Sequence, residues 1–155
     1  MMNLQRRRRG FSLIELLIVI AIILIIITIA LPKFSSAQRY AKETSALGAI
    51  RTIHTMQVQY YSQYGKYATS LTELGPPASG AEGPAAANLI DSTLSSGEKG
   101  GYKFTLSANS GGYIINAAPV AFGVSGSRTF YSDQSMVVRQ NFGQEPATVN
   151  SPEIK

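Results

Sequence analysis

Glu15 is the one acid in an aliphatic run, Phe11 to Leu31, of 21 residues whose only other polar members are Ser12 and Thr28. A lone carboxylate at hydrocarbon depth costs roughly 2.5–3.5 kcal/mol on insertion scales, so the position demands a cation. Gly10, just before the run, resists helix and lets another backbone approach closely. The chemistry that these residues support is therefore ion pairing of a carboxylate seated among aliphatic side chains. Two blander readings stand beside it: Gly10 as a junction without a role, and Glu15 as an interfacial residue that snorkels to headgroups.

Catalysis has little to work with. The chain has no cysteine, a single histidine and scattered acids with no spacing that pairs two in a cleft, so an enzyme is not expected and neither is a metal or cofactor. The formal charge of +5 and pI near 9.6 point toward nucleic acid only superficially. Removing Arg6, Arg7, Arg8 and Arg9 leaves ten Lys and Arg against nine Asp and Glu, about +1, which gives no clear nucleic-acid site. Arg128 and Arg139 remain as a candidate local basic spot.

The element that must carry Glu15 is a helix. At about 1.5 Å per residue, Phe11 to Leu31 is roughly 31 Å long, enough to cross a bilayer. The four arginines before it place the N-terminus on the cytoplasmic side and everything after Leu31 across the membrane. A secretory signal peptide shares the basic start, but its apolar core is about 7–15 residues and closes on an A-x-A site, where this chain reads Ile29-Ala30-Leu31-Pro32-Lys33-Phe34. Pro32 ends the lipid-facing run and predicts a kink or break, because it lacks an amide hydrogen and crowds the preceding turn.

The stretch Arg9-Gly10-Phe11-Ser12-Leu13-Ile14-Glu15-Leu16-Leu17-Ile18-Val19-Ile20 closely resembles the class III signal of type IV pilins and type II secretion pseudopilins. The resemblance implies a leader, residues 1–10, that a membrane-embedded prepilin peptidase removes after Gly10, with methylation of the new Phe11 amine. Glu15 would then meet the amine of a neighbouring subunit as helices enter a fibre. Identical or related subunits and an inner-membrane assembly machinery are the implied partners. The expected product is a filament subunit; a secretion pseudopilin is the alternative, and an uncut bitopic anchor with a periplasmic binding module is the rival from another class. Many relatives carry a glycine near position 24, where this chain has Leu24, so the extent of helix melting before Pro32 stays open. The start at Met1 or Met2 is also open, and it loses importance once the leader is gone.

Beyond Pro32 the pattern turns amphipathic. Leu47, Ile50, Ile53, Met56, Tyr60 and Tyr64 recur every three or four residues, while Arg39, Lys42, Glu43, Arg51 and Gln59 fall largely elsewhere. Residues 32–65 are thus expected to anchor a head, with Gly65 as the stop. Tyr60, Tyr61, Tyr64 and Tyr67 read as core aromatics in preference to a conduction path, and His54 as a packed or surface imidazole. The glycines and prolines of residues 66–101 predict a loop, interrupted by one short helix over 85–94 behind Pro84. Residues 102–142 switch to period two and predict about four antiparallel strands, near 102–106, 113–117, 128–131 and 136–139. The tail, 143–155, reads as a strap or as disorder. The fold class is α+β: a long N-terminal helix, half for membrane and fibre core and half amphipathic, packed on a small antiparallel sheet. The resemblance names this a pilin fold, in its disulfide-free form.

Overall fold

The computed structural model describes residues 10–154; Arg6 to Arg9, expected to belong to a leader, lie outside them. Helix α1 runs from Leu13 to Tyr64, and the chain divides into two compact units, Met1–Ser36 and Ala37–Lys155. Within the first unit the break expected at Pro32 does not occur, since α1 continues through the proline. Pro32 costs the Thr28 carbonyl its usual amide donor, yet the turns on either side are intact and the Ser35 and Ser36 hydroxyls both donate to the Pro32 carbonyl, at 3.0 and 3.1 Å. One missing bond does not end a helix of this length.

In the second unit, α1 stops where Gly65 adopts φ +69° and donates its amide to the Tyr61 carbonyl at 2.8 Å. A side chain there would strain the left-handed cap, so the glycine terminates the helix by conformation. The sheet is an antiparallel meander of five strands in sequence order, β1 Glu98–Lys99, β2 Tyr102–Asn109, β3 Gly112–Pro119, β4 Thr129–Asp133 and β5 Val138–Asn141. Four strands were expected. The additional β1 is two residues long and pairs Glu98 with Lys103 and Lys99 with Tyr102, too short to leave a periodic trace.

Strand β2 alternates buried Tyr102, Phe104 and Leu106 with exposed neighbours, and β3 presents Tyr113, Ile115 and Ala117 to the same side. That face packs on α1 through Ala46, Ala49, Ile50, Ile53 and Tyr60, with Leu47, Met56 and Tyr64 at the margin. Ile50 and Ile53 are completely buried; truncating either to alanine would cost about 2–5 kcal/mol through lost burial and the cavity left behind. The two-residue turn between β2 and β3 is held by Asn109 Oδ1, which accepts from the Gly111 amide at 2.8 Å.

The connection between helix and sheet differs from expectation. No helix spans 85–94; α2 is Leu71–Leu74 and α3 is Ser92–Ser95. Gly83 and Ala86 bridge each other, Asn88 takes φ +54°, and the Leu74 carbonyl accepts from both the Leu89 and Ile90 amides. Pro84 sits in a turn whose carbonyl receives the Tyr60 hydroxyl at 2.6 Å. Burial of Ile90 against α2 outweighs the helix preference of the alanines. Asp91 caps α3 by accepting the Leu94 amide and pairs with Lys99 at 2.6 Å.

The tail is a strap. Gln140 donates its amide to the Pro152 carbonyl, Ile154 donates to the Val138 carbonyl, and Arg139 pairs with Glu153 at 2.9 Å. The outer edge of β5 is thereby covered, which removes an unpaired strand edge without any cysteine.

Candidate processing and assembly site

The Gly10–Phe11 bond lies outside the helix, in exposed backbone two residues before α1 begins. A methyl group added at Gly10 would meet nothing within 4 Å, so this chain's own packing does not require glycine there.

Ser12 and Glu15 are related as N-cap and third helical residue, the spacing of a capping box. Glu15 Oε2 accepts the Ser12 amide at 2.8 Å, and the Ser12 carbonyl receives the Leu16 amide at 3.2 Å. The carboxylate therefore lies at the positive end of the helix and satisfies one of its free amide donors. Its bond to the Ser12 amide holds it beside the backbone that follows Phe11.

The remainder of the apolar run is uncovered all round. Phe11 is 84% exposed, and Leu13, Ile14, Leu24, Ile25 and Leu31 are also exposed. The helix is long and apolar enough to cross a membrane, and none of its most apolar 18-residue window is buried within the chain. Such a surface is satisfied by lipid or by other apolar helices.

The second unit holds a polar cluster that the amphipathic pattern did not disclose. Glu43, expected on the solvent side, is buried and accepts from Arg128 Nε at 2.8 Å and, through an ion pair, Nη2 at 2.7 Å. Its other oxygen accepts the Ser127 amide and hydroxyl at 2.8 and 2.9 Å, while Arg128 Nη1 donates to Gln140 Oε1 at 2.8 Å. Burial pushes the Glu43 carboxyl up, but the Ser127 and Arg128 donors outweigh it and hold it below the usual carboxylate range. Since Arg139 is likewise paired, with Glu153, the candidate basic spot of Arg128 and Arg139 does not exist.

His54 is packed, one of the two settings expected for a lone imidazole. Nδ1 lies 2.7 Å from the Tyr113 hydroxyl and Nε2 lies 2.7 Å from Ser132 Oγ. Ser132 spends its only hydrogen on the Val137 carbonyl at 2.9 Å, so it must accept from Nε2–H and leave Nδ1 to accept from Tyr113. Burial lowers the imidazole pKa, against a smaller opposing pull from Asp133. Among the described residues no group of three metal-ligating side chains converges.

Comparison with known proteins bears on the N-terminal segment. Residues 5–31 match the family described as the prokaryotic N-terminal methylation motif. The chain is also 39% identical over 69 residues to the type IV major pilin protein PilA of Myxococcus xanthus, a match that covers 44% of this chain and 31% of that protein. The chain thus spans about a third of the length of the curated relative it matches. No solved structure matches it.

Proposed function

We propose that this chain, whose residues 5–31 match the prokaryotic N-terminal methylation motif, is a type IV pilin, a structural subunit that polymerises into a pilus filament after its leader is removed. The observation that carries this reading is the coincidence of the methylation motif with an uncovered apolar run, Phe11 to Leu31, whose one acid, Glu15, caps the start of the helix.

The sequence of events follows from the charges. Arg6 to Arg9 hold the N-terminus in the cytoplasm, and Phe11 to Leu31 span the inner membrane with the head beyond it. Prepilin peptidase cuts the exposed Gly10–Phe11 bond, which removes four positive charges and creates one ammonium, subsequently methylated. Helices then leave lipid for a bundle of their own kind, where dense aliphatic packing replaces acyl chains. In that setting the Glu15 carboxylate exchanges the Ser12 amide for the terminal ammonium of an adjacent copy. Charge neutralisation in an apolar bundle fixes the axial stagger more than it adds stability.

The reading is tested with Glu15→Val and Glu15→Gln chains expressed beside the unaltered one. Membrane insertion persists in both, while surface filaments are lost or disordered. Filaments of normal number and order from both variants would contradict the role of Glu15. Imaging also separates the alternatives: long surface fibres belong to a pilin, short periplasmic ones to a pseudopilin.

A further inference from the structure

A cleft of about 440 Å³ lies between the end of α1 and the β2–β3 turn, lined by Tyr61, Lys66, Tyr67, Thr69, Asn109 and Ser110. Its size falls within the usual range for small-molecule sites. Tyr61 is 49% exposed, yet its ring is not loose: it packs on Tyr67 at 4.8 Å between centroids, and Tyr67 packs on Tyr113 at 4.9 Å. Tyr113 is in turn buried and pinned by His54. Exposed Tyr61 and half-buried Tyr67 therefore form a shelf backed by the core, pre-organised before any ligand arrives.

Around this shelf stand polar groups with capacity to spare. Among the described residues, the Tyr61 and Tyr67 hydroxyls and Lys66 Nζ have no hydrogen-bond partner, and Asn109, whose Oδ1 is engaged by the Gly111 amide, keeps its Nδ2 donor for another acceptor. An aromatic face beside amide, hydroxyl and ammonium groups matches a molecule with an apolar C–H face and a rim of hydroxyls. We propose that this cleft binds one pyranose residue of a polysaccharide, its axial C–H face stacked on Tyr61 and its hydroxyls bonded to Lys66 and Asn109.

The experiment uses the full chain, isotope-labelled, in dodecylphosphocholine micelles, a detergent without a sugar. Cellotriose, the β1,4-linked trimer of N-acetylglucosamine, and trigalacturonate are titrated while backbone amide resonances are followed. Either neutral trisaccharide should give saturable shifts confined to Gly65 to Thr69 and Ala108 to Ser110. Tyr61→Ala and Tyr61→Leu should each weaken that binding roughly tenfold, the loss of one stacking surface, with Ile115 resonances unchanged as the check on folding. Absence of saturable shifts with both neutral sugars, or shifts unaffected by both Tyr61 variants, overturns the proposal. So does binding of trigalacturonate alone that vanishes in Lys66→Gln, which would make the cleft a simple cationic spot.

Discussion

Glu43 on α1 and Arg128 just before β4 meet at 2.7 Å although 85 residues separate them, and every polar side-chain atom of the pair is engaged. Their contact ties α1 to the segment that leads into β4. Removing one partner strands the other in a site mostly closed to water, which costs about 3–5 kcal/mol. Glu43→Ala should therefore lower the denaturant midpoint of the full chain in micelles, followed by tyrosine near-ultraviolet dichroism. Glu43→Gln, which still accepts from Ser127, should lose less. Equal stability in all three chains would mean that the pair is idle.

His54 makes stability depend on pH in a defined direction. Its folded pKa lies below the ordinary value of 6.5, so the unfolded chain binds the proton more readily. Stability is then full above about 6.5 and declines as pH falls from that value through the folded pKa. Tyr113 and Ser132 face the ring directly, with Asp133 close enough to oppose the shift and Arg51 on the neighbouring turn of α1. The melting temperature should drop between pH 7 and pH 5.5, before Glu43 or Asp133 titrate, and His54→Gln should flatten that slope.

Gly126 is fixed by crowding. A Cβ there would collide with the Tyr102 hydroxyl, which donates to the Arg128 carbonyl at 2.9 Å. Gly126→Ala must displace that bond or the loop, an overpacking cost of about 1–3 kcal/mol. Gly48→Ala meets nothing within 4 Å and lies inside α1, so it should leave stability unchanged or raise it by up to about 1 kcal/mol. Thermal melts of the two variants side by side read the difference.

The tail strap replaces what a disulfide would do. A chain ending at Gln144 loses the Arg139–Glu153 pair, the Gln140 and Ile154 backbone bonds, and the burial of Ala147. Amide hydrogen exchange should then accelerate first in β5, with β2 and β3 slower to respond. Uniform acceleration across the sheet would show that the strap holds the whole head, not its edge.

Much of this fold is legible in the residues. The apolar run, the Gly65 stop and the β2–β3 hairpin each follow from local chemistry. The buried polar residues were harder, although their signal was present: Glu43, Ala46, Ile50, Ile53, Gln57 and Tyr60 are spaced by three and four, one continuous stripe. Charge alone had sent Glu43 to solvent. Its partner, Arg128, is distant in sequence, and nothing in a single chain marks the pairing. Gln57 likewise exchanges two bonds with the backbone of Ala68, at 2.9 Å each. The helix expected over 85–94 failed for the opposite reason: local preference was visible, but the Leu74 carbonyl that captures Leu89 and Ile90 was not. Ahead of the apolar run, the bond from the Ser12 amide to Glu15 follows from the local S-x-x-E spacing, while the acid's setting among aliphatic residues equally predicts an external cation.

The central claim is that the filament is built from chains cut before Phe11. Intact-mass spectrometry of chains recovered from purified surface filaments tests it most directly. The account predicts a subunit that begins at Phe11, bears one added methyl on its terminal amine, and lacks Arg6 to Arg9. Filaments whose chains still begin at Met1 or Met2 would contradict it.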